Sequence, residues 1–176
     1  PLEGSLATRL LWQRNRLGQL AREGCDLLFS PGGLVTTSFH PFVTMSRNML
    51  PFAPRESWRY GVSPMLVRLA MLRWGQSRSL HRADGAIFLT QHALEQVGGR
   101  AKPRGEVAVI PHGVDERFRT APRPQEPIER YGDDRPFRIL YISTVDVYKH
   151  HERLAEGVAR LRRDGLPVAL ELVGTH

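Results

Sequence analysis

Helical and strand periods alternate along the chain. From Leu6 to Arg22 the apolar positions Leu6, Leu10, Leu17, Leu20 and Ala21 fall on one helical face, with Ser5 as cap and Gly24 as stop. Asp26 to Phe29 then reads as a strand and Phe42 to Met45 as the next. The loop Pro31-Gly32-Gly33 between them lets backbone approach a ligand. Ser63-Pro64 is a strong helix start, with serine as cap and proline at the first helical position, and that helix runs to about Ala83. Gly85 to Leu89 is a third, buried strand, and Thr90 caps a short helix that ends at Gly98-Gly99. Glu106 to Ile110 reads as a further buried strand, because Val107, Val109 and Ile110 are β-branched and the run is bounded by Gly105 and Pro111.

The pattern then breaks. Arg119 to Pro136 holds Pro122, Pro124, Pro127 and Pro136, several charges and little apolar periodicity, as a linker does. Phe137 to Ile142 resumes as a strand. His151 to Arg163 is a helix with Leu154, Val158 and Leu161 on one face, Gly165 is its stop, and Val168 to Val173 is the next strand. Parallel strands joined by a helix imply a right-handed crossover. The predicted class is therefore α/β, with two Rossmann-like domains, both incomplete. Residues 1–118 form the end of the first, 119–136 the linker and 137–176 the start of the second. The chain opens on Pro1 and closes on a strand and the turn after it, which reads as a fragment of a larger protein.

Composition narrows the function without choosing it. Hydrophobic content of 41% and charged content of 24% are ordinary for a soluble globular protein. No apolar run approaches the roughly 18 residues of a membrane span. Cys25 is the one cysteine, so no disulfide forms within the chain. The thiol, beside Leu27-Leu28-Phe29, is expected to pack as a small hydrophobe, and its solitude fits a reducing, cytoplasmic compartment. The net charge of +7 is carried mostly by arginine, since Lys102 and Lys149 are the only lysines. Arginine favours bidentate contact with phosphate or carboxylate. Such a balance suits nucleic acid, an anionic membrane surface or a nucleotide-sugar diphosphate.

The most informative residues are Val109-Ile110-Pro111-His112-Gly113-Val114-Asp115 with Phe118. Pro111 ends the strand, Gly113 can take a positive φ and Asp115 can accept from nearby amides, so a sharp turn is expected where the chain leaves the sheet. In an open parallel sheet that edge is where ligands bind. A strand-ending turn with no ligand is the competing reading. The run V-I-P-H-G-V-D-x-x-x-F resembles the segment joining the two Rossmann-like domains of GT-B glycosyltransferases, above all family 4. It follows a strand and precedes a proline-rich linker and a new α/β unit, as in that family.

The resemblance implies a glycosyltransferase that moves a sugar from a nucleotide-sugar donor to a glycan or lipid-linked acceptor, retaining and metal-independent, with no cofactor. It places His112, Gly113 and Asp115 at the hinge and cleft. The loop Ser143 to His150 joins a strand's carboxyl end to a helix amino end, where amides and the helix dipole favour an anion and Lys149 adds a full charge. In the family the matching loop is similar to G-R-x-x-x-x-K-G, whose arginine and lysine hold the donor diphosphate. Lys149 fits the lysine, Thr144 stands at the arginine and His150 replaces the glycine. Lys149 and Thr144 are thus the candidate donor-phosphate residues, against a solvated loop lysine.

Ser46, Arg47 and Asn48 follow the strand from Phe42 and are the candidate acceptor or sugar-contacting residues, against a purely structural loop. Many relatives carry a histidine after this strand, and this chain has Ser46 or Arg47, so no general base is evident and the catalytic residues stay unassigned. The family's E-x7-E pair would lie beyond His176 and its glycine-rich acceptor loop before Pro1. The chain by itself is therefore expected not to catalyse transfer.

Other chemistries find less support. The histidines include no pair at i, i+4 spacing for a metal. There is no G-x-S-x-G elbow and no G-x-x-x-x-G-K-[ST] loop. Trp58, Arg59, Arg68, Arg73, Trp74, Arg78 and Arg82 border or stud the helix from Pro64, giving a basic, partly aromatic face. Peripheral contact with anionic lipid is one expectation for it, and a solvated basic face the other. Two further functions remain open. A nucleotide-sugar epimerase shares the two-domain architecture, and a non-enzymatic α/β module binding nucleic acid would be supported by charge alone.

Overall fold

The computed structural model describes residues 6–175; the expected cap Ser5 lies outside them. Residues 1–114 and 115–176 form two separate compact units, with the boundary between Val114 and Asp115.

The first unit is mixed α/β, and its sheet is consistent with a Rossmann-like arrangement. Four strands, β1 (Leu28–Ser30), β2 (Phe42–Ser46), β3 (Gly85–Phe88) and β4 (Glu106–Val109), lie in that order, every neighbouring pair parallel. Its helices are α1 (residues 6–24), α2 (Pro54–Trp58), α3 (Pro64–Arg82) and α4 (residues 91–101). The signals at the helix starts act as their chemistry dictates. Ser63 accepts from the Leu66 amide with Pro64 at the first position of α3, and Thr90 accepts from the Ala93 amide at the start of α4. The register puts Phe42, Thr44 and Ser46 beside Ala86 and Phe88 on one buried face. There Ala86 and Phe88 pack with Phe52, Leu80, Ala93, Val97 and Ala101.

Several expectations need correction. The strand from Glu106 is exposed along its whole length rather than buried, because it is the edge strand and has a partner on one side only. The helix from Thr90 does not stop at Gly98-Gly99. It runs on to Ala101, and a Cβ on Gly98 would come within 2.9 Å of Leu94 and 3.4 Å of the Phe88 ring, so this glycine serves packing. Lys102 ends the helix instead, in the left-handed region at φ 50°. In α1 a π turn at Gln13–Leu17 inserts a residue and rotates the helical face, which leaves Leu20 47% exposed while Gly18 and Ala21 are buried. The first strand is shorter and later than expected, and Cys25 is exposed in the turn before it. Gly113 has no positive φ, and residues 110–115 form neither turn nor bend. The short helices Leu50–Phe52 and Pro54–Trp58 were not anticipated.

The second unit pairs β5 (Phe137–Ile142) with β6 (Val168–Val173) in parallel, joined through α5 (His151–Arg163). Burial alternates along β5, with Phe137, Ile139 and Tyr141 half-buried and Arg138, Leu140 and Ile142 exposed. Gly165 takes φ +86° directly after the helix. The proline-rich segment belongs to this unit and holds one short 3-10 turn, Ile128–Arg130.

Candidate functional site

All four strands of the first sheet run the same way, so their carboxyl ends share one rim. Ser46, Arg47 and Asn48 leave β2 there and His112 follows β4, two strands away or about 10 Å. Ser46, the last residue of β2, and the two residues after it do not behave alike. Ser46 is buried, in register with Phe88 on the core face. Asn48 is exposed, but its Oδ1 accepts from the Leu50 amide at 3.0 Å and so starts the Leu50–Phe52 turn. Arg47 is left as the exposed cation of this loop. The glycine loop after β1 comes close to the last residues of β2. Gly33, at φ +72°, lies where a Cβ would stand 3.4 Å from the Met45 carbonyl.

At the end of β4, His112 is exposed and makes no hydrogen bond among the described residues, and Gly113 has open space around it. Asp115 begins the second unit and is locally committed. Its Oδ1 accepts from the Arg117 amide at 3.0 Å and caps the 3-10 turn Glu116–Phe118.

In the second unit the loop after β5 is held from several sides. Ser143 donates its amide to the Val173 carbonyl at 2.9 Å and Val145 donates to the Thr175 carbonyl at 3.0 Å, so the ladder continues past both strands. A Cβ on Gly174 would overlap the Ser143 carbonyl, which explains why glycine follows β6. Asp146 caps the turn Val147–Lys149, accepting from the Val147 amide at 2.6 Å. Tyr141 donates its hydroxyl to the Lys149 carbonyl at 3.0 Å, anchoring that turn to the strand. Thr144 is exposed at the end of β5.

Lys149 is half-buried, and its ammonium sits 4.7 Å above the Tyr148 ring without an ion pair among the described residues. Next to it His150 adopts φ 56°, a conformation glycine reaches freely and other residues rarely. α5 starts at His151, and no side-chain hydrogen bond caps it. Its first-turn amides therefore have no intrahelical partner, and Lys149 lies beside them. The His151 Nδ1 is buried there without a hydrogen-bond partner. The loop thus offers an oxyanion three things: an ammonium without an ion pair among the described residues, the first-turn amides and the positive end of a 13-residue helix. Sequence reasoning singled out Lys149 as a candidate. It missed Asp146, Tyr141 and Gly174, whose roles depend on contacts between β5, β6 and the loop.

A second polar cluster lies at the opposite, amino-terminal rim of the first sheet. Asp84 accepts from the Phe42 amide at 2.8 Å and pairs with His40 Nδ1 at 2.7 Å, while its own backbone bonds to β2 and to the start of β4. The amide bond, helped by His40, holds its carboxyl below the ordinary aspartate range. This corner ties three strand starts together.

No group of three or more His, Cys, Asp or Glu side chains gathers as a metal ion would need among the described residues. No helix among them is long and apolar enough to cross a membrane. No family model matches the chain, and no curated protein matches it.

Proposed function

We propose that the chain belongs to a nucleotide-sugar-dependent glycosyltransferase of GT-B type resembling family 4, with the donor diphosphate held in the second unit at the loop Ser143 to His150. The observation that carries this reading is the position of Lys149. It stands on the loop from a parallel strand to an uncapped helix, and two residues later that helix presents its free amides. The left-handed His150 supports the same reading, since the position where the family carries glycine has here a backbone that suits glycine. Thr144 supplies a hydroxyl at the strand end in place of an arginine. It donates one hydrogen bond and neutralises no charge. In this reading the cation of the site is Lys149, aided by the helix dipole. The sugar leaves the donor phosphate for a glycan or lipid-linked acceptor, and in the first unit Arg47 is an exposed cation able to meet acceptor oxygens.

Titration of the chain with uridine, guanosine and adenosine diphosphates tests this. Binding of at least one is expected, and Lys149→Ala should weaken it on the order of tenfold or more, the usual worth of a charge-assisted hydrogen bond. Unchanged affinity in the variant, or no binding across the panel, would remove the diphosphate from this loop.

A further inference from the structure

The first unit contains a cavity of about 570 Å³ that the proposed reading does not use. Three walls enclose it: the π turn of α1 with Arg14 and Asn15, the extended segment from Leu34 to Ser38, and the second half of α3 with Trp74, Arg78 and Arg82. Glycines bring these walls close. A Cβ on Gly18 would stand 2.6 Å from Thr37 Oγ1, and one on Gly75 would stand 2.7 Å from a Leu34 methyl. Ser79 fixes the middle wall by accepting from the Val35 amide at 2.9 Å and donating towards the Val35 and Gly75 carbonyls.

Trp74, Arg78 and Arg82 are spaced four residues apart and so share one helix face. Like charges at that spacing repel. Among the described residues no carboxylate lines the cavity, and the Arg14, Arg78 and Arg82 side chains make no ion pair or hydrogen bond. Arg82 also borders the His40–Asp84 corner, yet Asp84 pairs with His40 and not with it. Arg14 arrives from a helix far away in sequence, and the π turn aims that stretch at the cavity. Three uncompensated guanidinium groups around one concave space are a receptor for a phosphate oxyanion, which arginine binds in bidentate fashion. The Trp74 indole, 71% exposed at the cavity wall, offers a flat surface to whatever organic group carries the phosphate.

We infer that this cavity binds a phosphorylated organic molecule through Arg14, Arg78 and Arg82, as a site separate from the Lys149 loop. The phosphate is that of a soluble ester or of a lipid headgroup, and the experiment separates the two. Inorganic pyrophosphate is titrated into the 176-residue chain, with the emission of Trp74 as readout against a Trp74→Phe control. In a parallel arm, vesicles of phosphatidylglycerol in phosphatidylcholine are compared with phosphatidylcholine alone by flotation. Both arms are run on Lys149→Ala, on Arg68→Gln and on the pair Arg78→Gln and Arg82→Gln.

Saturable binding that survives Lys149→Ala and Arg68→Gln but falls on the order of tenfold or more in the paired variant is the expected result. Seen with pyrophosphate it marks a soluble ligand, and seen only with anionic vesicles it marks a headgroup. Binding in neither arm overturns the inference, as does binding indifferent to Arg78 and Arg82 or lost with Lys149. Arg78 is exposed and unbonded, so a loss of binding with unchanged thermal melting is not a loss of fold.

Discussion

In the first unit Phe42, Phe52, Phe88, Leu80 and Val97 are each at most 1% exposed, whereas in the second Val158 and Val168 are the buried apolar residues among those described. Both units are built from the same parts, parallel strands with helices against one face. The difference lies in how many elements converge. In the first, β3 has strands on both sides, and α3, α4 and the Phe52 turn all meet over Phe88. In the second, a two-stranded ladder has one helix on one face, and Leu140, Ile142 and Val173 are open on the other. Two strands with a single helix bury little apolar area, so the ladder of the second unit is regular while its contribution to stability is small. The candidate phosphate loop therefore sits on a lightly packed frame, and the Arg14–Arg78–Arg82 cavity on a well-packed one.

The largest test of that contrast is a matched truncation. Phe88→Ala removes a fully buried ring and should lower the unfolding free energy of the first unit by about 3–5 kcal/mol in urea titration. Leu140→Ala, at a residue 56% exposed on β5, should change the stability of the second by no more than about 0.5 kcal/mol. Comparable losses at the two sites would mean that the open face of β5–β6 is covered in solution.

The next effect concerns the amino-terminal rim. Asp84→Ala leaves the Phe42 amide without its acceptor at a fully buried residue and should cost about 1–3 kcal/mol. Asp84→Asn keeps an acceptor oxygen but no charge, so it should cost less and remove the pH dependence. Folding lowers the Asp84 carboxyl from the ordinary 3.8, so the folded state binds its proton less readily than the unfolded. The stabilisation is whole above pH 3.8 and is lost as pH falls below it through the folded value. With its side chain 45% exposed, Asp84 should give a shallow acid limb, visible as a difference in melting temperature between wild type and Asp84→Asn that closes on acidification.

What the sequence conveyed and what it did not divide along physical lines. Ser63-Pro64 and Thr90 start helices through contacts within one turn, and Gly165 stops one through its own φ, so those features are legible locally. The strand from Phe42 is legible too, but its burial is not, since the polar Thr44 and Ser46 are buried while the apolar Val43 and Met45 are only partly so. The exposure of β4 is a property of strand order, which no single strand encodes, and β-branched content alone made it look buried. Gly98-Gly99 resembles a stop signal, yet Gly98 is a packing site against Leu94 and the Phe88 ring. Around Lys149 the strand-to-helix loop was legible because it is local. The meeting of Arg14 with Arg78 and Arg82 was not, because it depends on the π turn and on Leu34 to Ser38 lying between two helices.

A smaller effect of opposite sign is expected where α4 ends. Lys102 is held in the left-handed region, and Lys102→Gly removes the crowding of its Cβ while keeping the carbonyl that accepts from His81 Nδ1 at 2.8 Å. The first unit should gain about 1 kcal/mol, read as a later urea midpoint with unchanged slope. A loss instead would mean that the lysine stem packs on the helix more usefully than its backbone strains.

The smallest change sharpens the comparison most directly. Ile142 is 70% exposed at the carboxyl end of β5, next to the loop that carries Thr144 and Lys149. A β-branched residue suits the strand, but its side chain points to the face opposite α5, so Ile142→Ser removes apolar surface that is already in water. The second unit should unfold within about 0.5 kcal/mol of wild type, and nucleoside diphosphate binding at Lys149 should not change. A drop well beyond that, with weaker diphosphate binding, would mean that the exposed face of β5–β6 is packed under solution conditions. The light frame beneath the phosphate loop would then owe its order to that packing.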